Sequence, residues 1–324
     1  MTSSRLRCFL RLCVSIALLG ALLAFVPLGQ LWSALRGVSP LLWLGALLVV
    51  LLGHVLAASK WWLLLARHDK VPFRLALQAH FTGLSTNLCL PGIAGGDVVR
   101  AAYVMKQGDN RTGLGVASVA DRLIDCAALL LLAGAGALWT AKLHGLIGQA
   151  LAGAAAVATV ALVVTAVVYW RLRSSRHALA GRIAEALTVL IRHPWLMMRC
   201  LLISLLIQGG FVALNACIGS AAGVEAPAAA WLVAWPLAKL AAVAPISLGG
   251  LGVRESALIV FLRPFGATPA TVMAAGVLWQ TLLIAGGLVR VLALWAPAPA
   301  KGTVPVISEV PSTFSASPQE ASIS

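Results

Sequence analysis

Apolar stretches long enough to cross the ~30 Å hydrocarbon core of a bilayer recur along this chain. Hydrophobic residues make up 60% of its 324 residues and charged residues only 10%, whereas soluble proteins carry about 25% charged residues. Once the apolar stretches are removed, too little sequence is left for a soluble domain of useful size. The sequence therefore predicts an all-α polytopic membrane protein, with residues 1–295 as a single transmembrane domain.

About six stretches have the length and composition of full transmembrane helices. They lie near residues 12–28, 41–64, 113–138, 147–170, 197–221 and 268–295. Two further apolar intervals, 74–110 and 229–263, are each broken in the middle by proline and glycine. Each interval could form two short spans or one re-entrant helical hairpin.

The breaks share one ten-residue pattern, Pro-x3-Gly-Gly-x3-Arg, at 91–100 and again at 245–254. An arginine at the centre of a bilayer costs roughly 2.5–3.5 kcal/mol on insertion scales. Helix breaks at corresponding positions of two halves are the usual sequence indication of a transporter's binding site. The repeated pattern therefore predicts that function lies at this pair of breaks.

Basic residues decide between short spans and hairpins, because cytoplasmic loops are enriched in lysine and arginine. With a cytoplasmic N-terminus, the most basic loop, 171–199, faces the cytoplasm only if 74–110 is a hairpin. The second hairpin then enters from the opposite side. Residues 41–138 and 197–295 become inverted-topology repeats, and both chain termini lie in the cytoplasm.

The net charge of +14 follows from basic residues that flank the apolar segments, so it indicates contact with anionic lipid head groups and not with nucleic acid. The six cysteines are scattered and no histidine has metal-ligand spacing, so we expect no metal and no cofactor. Residues 296–324 are rich in proline, serine, alanine and threonine, which predicts a disordered tail.

The repeated breaks predict an anion site. A helix that begins after each Gly-Gly pair presents free N–H groups, glycine allows an anion close to the backbone, and arginine offers a planar fork to phosphate. The candidate substrate-binding residues are Arg100, Arg254, Gly95, Gly96, Gly249, Gly250, Arg122 and Lys239. The alternative is that the Gly-Gly pairs only allow close helix packing.

A second set of charges lies within the third full span, where Asp121 and Asp125 share one helical face and Arg122 can reach Asp125. Gating or coupling and a purely structural ion-pair cluster are about equally supported for this set. Asp97, placed to cap the first short helix and pair with Arg100, and Glu255 beside Arg254 complete the candidate gating or coupling residues. Lys239 could join the site or extend along its helix towards the membrane surface.

These residues resemble the transmembrane region of lysylphosphatidylglycerol synthases, also called flippase-like proteins. The resemblance lies in Leu90-Pro91…Gly95-Gly96-Asp97…Arg100, in Ala117-Ser118-Val119-Ala120-Asp121-Arg122…Asp125 and in Pro245…Gly249-Gly250-Leu251-Gly252-Val253-Arg254-Glu255. It implies a protein of the bacterial inner membrane that moves a lipid or lipid-linked group between leaflets. The sequence differs at Trp279-Gln280, where the family tends to have an arginine, and contains no aminoacyl-transferase domain.

We therefore expect a transporter that passes an anionic phospholipid or polyprenyl-phosphate-linked lipid through a phosphate-binding site at the midplane. No catalytic motif is present, so we expect no enzyme activity in this chain. The alternative is a membrane subunit of a lipid- or glycolipid-modifying synthase whose catalytic part, a synthase or glycosyltransferase, is a separate partner protein.

The hairpin topology can be tested by cysteine labelling in intact cells. Because the basic loop 171–199 is predicted to face the cytoplasm, Ser174→Cys should resist membrane-impermeant thiol reagents, while Ser33→Cys should react. Labelling of position 174 from outside would contradict the proposed topology.

Overall fold

The computed structural model describes residues 36, 39–87, 94–139, 178–242 and 252–295, and within them the chain folds into helices joined by turns. In chain order the helices are α1 (Pro40–Leu65), α2 (Phe73–Asn87), α3 (Ala94–Met105), α4 (Arg111–Trp139), α5 (Ala178–Ile191), α6 (Pro194–Ala221), α7 (Ala228–Ala241), α8 (Val253–Leu262) and α9 (Pro269–Trp295). A short 3₁₀ turn, Arg263–Phe265, follows α8.

Four of the predicted spans coincide with long helices to within three residues at each end: α1, α4, α6 and α9. The predicted spans 12–28 and 147–170 and the predicted tail 296–324 lie outside the described residues. The predicted loop 171–199 is partly helical, because α5 lies within it and α6 already begins at Pro194. Alanines of α5 are buried, and α5 packs against α4 and α6, which accounts for this helix.

By length and composition, three of the described helices could cross a membrane: α1, α6 and the part of α9 from Pro269 to Leu288. The exposed face of α1 is apolar, with Leu41, Leu44, Leu48 and Leu52 each more than half exposed. Such a stripe is unusual on a soluble protein and suits contact with lipid chains. The all-helical membrane architecture is confirmed, whereas the count of about six full spans stays a prediction.

The two predicted hairpin intervals each contain two short helices that pack against each other, α2 with α3 and α7 with α8. These helices have 15, 12, 14 and 10 residues. At ~1.5 Å per residue none reaches ~30 Å, the thickness of a hydrocarbon core. Each half therefore consists of a long helix, two short helices and a long helix.

Helix packing follows the same pattern in the two halves. If α1–α4 are exchanged for α6–α9 in order, every principal contact between helices is replaced by another that also exists; the contact of α2 with α9, for example, becomes that of α7 with α4. The first short helix of each half thus packs against the last long helix of the other half. This pattern is what a sequence repeat predicts, and the inverted orientation of the halves across a membrane stays a prediction.

The contact between α2 and α3 depends on two glycines. A Cβ atom on Gly96 would lie 2.1 Å from the carbonyl oxygen of Gly83 and 2.6 Å from Cγ of Asn87. The backbone N–H of Gly96 donates to Oδ1 of Asn87 at 2.6 Å. Gly96 is therefore buried against α2, as in the packing alternative for the Gly-Gly pairs.

Outside the apolar helices, Asp69 joins the turn after α1 to the turn between α3 and α4. Its carboxylate accepts hydrogen bonds from the backbone N–H groups of Asp109 and Asn110 at 2.7 and 3.0 Å. The bond from Asn110 is the main reason that the pKa of Asp69 lies below its ordinary value. The two turns are thereby fixed beside each other, close to the end of α1.

We expect Gly96→Ala to destabilise the protein, because the added methyl group meets backbone atoms that cannot move without separating α2 from α3. Overpacking of this kind costs about 1–3 kcal/mol. Thermal unfolding of the purified protein should show a midpoint lowered by several degrees. Gly134→Ala is the control, since a Cβ atom there has no neighbour within 4 Å; an equal loss in both variants would contradict the role of close packing.

Candidate functional site

Six charged side chains form a closed ring of ion pairs, in which each carboxylate contacts at least two cations and each cation at least two carboxylates; Arg122 also lies 3.9 Å from Asp121 across the ring. In order around the ring they are Lys60, Asp121, Arg100, Asp97, Arg122 and Asp125, which contacts Lys60 again. Lys60 comes from α1, Arg100 and Asp97 from α3, and the other three from α4. The ring therefore joins three helices that lie apart in the sequence.

Most of these ion pairs have hydrogen-bond distances. Nη2 of Arg100 lies 2.6 Å from Asp121, and its Nε lies 3.1 Å from Asp97. Arg122 reaches Asp97 at 2.7 Å and Asp125 at 3.2 Å. Lys60 lies 3.0 Å from Asp121 and also donates to Asp125. The predicted pairing of Arg100 with Asp97 and of Arg122 with Asp125 is thus present.

Neighbouring groups complete the ring. The hydroxyl of Ser204 on α6 donates to Asp125, and the Arg100 guanidinium lies 4.5 Å above the ring of Trp61. The side chains of Lys60, Arg100 and Asp121 are at most 2% exposed. Burial of a charge is tolerable when every charge is paired and hydrogen-bonded, and this ring carries equal numbers of positive and negative groups.

A partly open cavity of about 140 Å³ lies beside the ring, between the two halves. Residues of the first half on its wall are His54, His80, Gly83, Leu84, Asn87, Asp97, Arg100 and Arg122. Residues of the second half are Phe211, Trp235, Lys239, Arg254, Trp279, Gln280 and Leu283. The wall thus combines four cations and one carboxylate with an aromatic and apolar surface.

Lys239 differs from the other cations of the wall, because it takes part in none of the ion pairs found among the described residues. Its Nζ donates to Oε1 of Gln208 on α6 at 2.7 Å and lies 5.3 Å from the centre of the Phe211 ring. A neutral amide and an aromatic face do not neutralise its charge. The cavity wall consequently carries one positive charge without a protein counter-ion in this part of the chain.

Arg254 is paired within its own helix. Its Nε donates to Glu255 at 3.0 Å, and the same carboxylate accepts the N–H of Gly252 at 2.7 Å. Gly252 precedes α8 and has φ +86°, a conformation that favours glycine. Glu255 therefore neutralises Arg254. It also caps the N-terminus of α8, as a carboxylate at the third helical position commonly does.

The predicted site residues differ in where they lie relative to the cavity. Arg100, Arg122, Arg254, Lys239 and Asp97 are on the cavity wall. Asp121, Asp125 and Glu255 are not, but each contacts a cation that is. Gly95 and Gly96 lie in the first turn of α3 and are not on the wall, while Gly249 and Gly250 lie outside the described residues.

The first of the two predicted helix starts is wrong. α3 begins at Ala94, before the Gly-Gly pair, so Asp97 lies inside its first turn rather than capping it, and Arg100 lies in the second turn. The second is confirmed, because α8 begins at Val253 and Arg254 lies in its first turn. Each arginine fork already contacts a carboxylate, and whether either also contacts phosphate stays a prediction.

Sequence analysis missed three residues of this region. Lys60 is the only charged residue of α1, and a single charge in an apolar helix was the available sequence signal that it pairs with other charges. His54, also in α1, and Gln208, in α6, are isolated polar residues in apolar helices, a pattern that occurs equally in packed cores. Only the fold brings them to the cavity and to Lys239.

Comparison with known families identifies the class of protein. A family model described as the lysylphosphatidylglycerol synthase TM region matches residues 8–289. Because the match covers most of the chain, the protein belongs to this family of membrane proteins in lipid metabolism or transport, and the resemblance seen in the motifs is confirmed. No curated protein and no solved structure matches the chain.

We expect Lys60→Met to destabilise the protein strongly, because it leaves the ring with one unbalanced buried carboxylate. Removal of one partner of a buried ion pair costs about 3–5 kcal/mol. The double variant Lys60→Met/Asp125→Asn should lose less, since it restores equal numbers of charges. Thermal unfolding checks this, with Lys106→Met at an exposed lysine as the control; strictly additive losses would contradict a coupled ring.

Proposed function

We propose that this protein moves an anionic, phosphate-bearing lipid between the leaflets of the bacterial inner membrane. The cavity between the two halves would receive the head group, and the two halves would expose it to the two sides in turn. Candidate substrates are an anionic phospholipid and a polyprenyl-phosphate-linked lipid. In this proposal the chain has no enzyme activity of its own.

The observation that carries the proposal is the unbalanced charge of Lys239. The ring is neutral and Arg254 is neutralised by Glu255, so the wall is left with an excess of one cation. A lipid phosphodiester has one negative charge, which would balance this excess. Arg122, the most exposed member of the ring at 38%, lies on the same wall and could add a second donor to phosphate.

The arrangement of the wall also suits a lipid rather than a soluble anion. Phe211, Trp235 and Trp279 form edge-to-face pairs with ring centres 5.5 and 4.8 Å apart. This aromatic surface lines the same cavity as the charged side chains, so the wall has both apolar and polar parts. Such a division matches a molecule with a charged head and apolar chains.

Alternating access requires that the halves move relative to each other while each stays intact. The charge ring joins α1, α3 and α4 within the first half. Between the halves, the described contacts are made by small and apolar residues, such as Gly136 against Leu232, and by hydrogen bonds without an ion pair, such as those from Ser85 to the Gly287 carbonyl and from Ser204 to Asp125. Such contacts can slide at lower cost than ion pairs can be broken.

We expect Lys239→Gln to reduce lipid transport roughly ten- to a hundredfold, because loss of a hydrogen bond to a charged group costs about 1.5–3 kcal/mol. The measurement is the rate at which an acyl-labelled phosphatidylglycerol crosses vesicles containing the purified full-length protein, followed by quenching of the outer leaflet. The matched control is Lys106→Gln, the same substitution at an exposed lysine of the turn after α3. Labelled phosphatidylcholine tests the need for net negative charge.

Transport by the purified protein alone, lost in Lys239→Gln and kept in Lys106→Gln, would support the transporter. Unchanged transport by well-folded Lys239→Gln would contradict the anion site. Absence of transport until a synthase or glycosyltransferase is added would favour the alternative, in which this chain is the membrane subunit of a lipid-modifying enzyme.

A further inference from the structure

Two histidines connect the charge ring to the cavity through hydrogen bonds. Nη1 of Arg100 lies 3.3 Å from Nδ1 of His80, and Nε2 of His80 lies 3.2 Å from Nδ1 of His54. Both histidines are on the cavity wall. The chain of hydrogen bonds therefore begins at the guanidinium of Arg100 and ends at the imidazole of His54, whose second nitrogen is Nε2.

The chemistry of arginine sets the direction of this chain. A guanidinium can only donate, so Nδ1 of His80 must accept, and the proton of the neutral His80 ring is then on Nε2. That N–H donates to Nδ1 of His54, which in turn must accept. A neutral His54 ring with Nδ1 accepting carries its own proton on Nε2. Arg100 thus fixes the tautomer of both rings.

The resulting donor at Nε2 of His54 is buried and has no hydrogen-bond partner among the described residues. The His54 ring is packed against Phe81 and Phe211, with ring centres 6.4 and 6.1 Å away, so its orientation is restricted. Buried donors without partners are rare in folded proteins. Two further buried atoms of wall residues, Nε1 of Trp235 and Oε1 of Gln280, also have no hydrogen-bond partner in the described part of the chain.

We infer that His54 is a ligand-binding residue, whose Nε2–H donates to an oxygen of the anionic group that Lys239 attracts. The inference rests on the proposed function, since it assigns a second contact to the same ligand. Arg100 and His80 act as positioning residues, because they hold the donor on His54 without touching the ligand. The cavity would then select a ligand with an acceptor oxygen as well as a negative charge.

The test is equilibrium binding of a short-chain probe, dihexanoylphosphatidylmethanol, to the purified full-length protein at neutral pH. This phosphodiester has one negative charge and no head-group hydroxyl, so its phosphate oxygens are its acceptors of interest. We expect His54→Phe, which keeps a ring and removes the donor, to weaken binding roughly tenfold or more. His54→Gln, whose amide N–H lies near the position of Nε2, should weaken binding by less than threefold. Lys106→Gln is the control.

The outcomes separate this inference from the proposed function. Loss of affinity in His54→Phe with recovery in His54→Gln supports the inference. Equal affinity of wild-type and His54→Phe protein, with weaker binding by Lys239→Gln, overturns the role of His54 and leaves the anion site in place. Absence of any binding by the wild-type protein contradicts both.

A second measurement uses the unaltered wild-type side chains, in case His54→Phe does not fold. In protein labelled with ¹⁵N-histidine, the probe should shift the Nε2 resonance of one histidine, and that resonance should be absent from His54→Gln. Both His54 and His80 should show the pattern of a neutral ring protonated at Nε2. A probe that shifts no histidine resonance, or an Nδ1-protonated His54, would overturn the inference.

Discussion

Lys60, Arg100 and Asp121 can be buried among the helices only if each finds partners of opposite sign, and the closed ring from Lys60 to Asp125 meets this condition. Every member contacts at least two others, so removal of any one leaves at least two groups underpaired. The ring also determines where α3 lies, because Asp97 and Arg100 attach this short helix to α4. The close approach of α2 to α3 at Gly83 and Gly96 then fixes the position of α2.

The two halves share their helix order and packing but differ in their chemistry. The first half has the full ring, whereas the described residues of the second form the local pair of Arg254 with Glu255. On α9, Trp279 and Gln280 line the cavity with an indole and an amide. Among the described residues, Lys239 therefore has no carboxylate partner.

The ring and the cavity are connected through Arg100. This side chain contacts two carboxylates of the ring, stacks on Trp61 and donates to His80. An arginine that is fixed by so many contacts is a poor candidate for a group that follows a moving substrate. It is well suited to hold neighbouring groups in one tautomer and one position, whereas contact with the ligand is proposed for the less constrained Lys239.

The sequence by itself determined the class of protein, the positions of four long helices and the breaks within both short-helix intervals. These features depend on local composition: apolar length specifies a membrane helix, and proline and glycine interrupt it. The pairings of Arg100 with Asp97 and of Arg122 with Asp125 were also predictable, since residues three apart share a helical face. The tertiary structure alone decided that Lys60 closes the ring and that His54 and Lys239 line one cavity. These arrangements bring together residues tens to hundreds of positions apart, and no local periodicity specifies which faces of two distant helices meet.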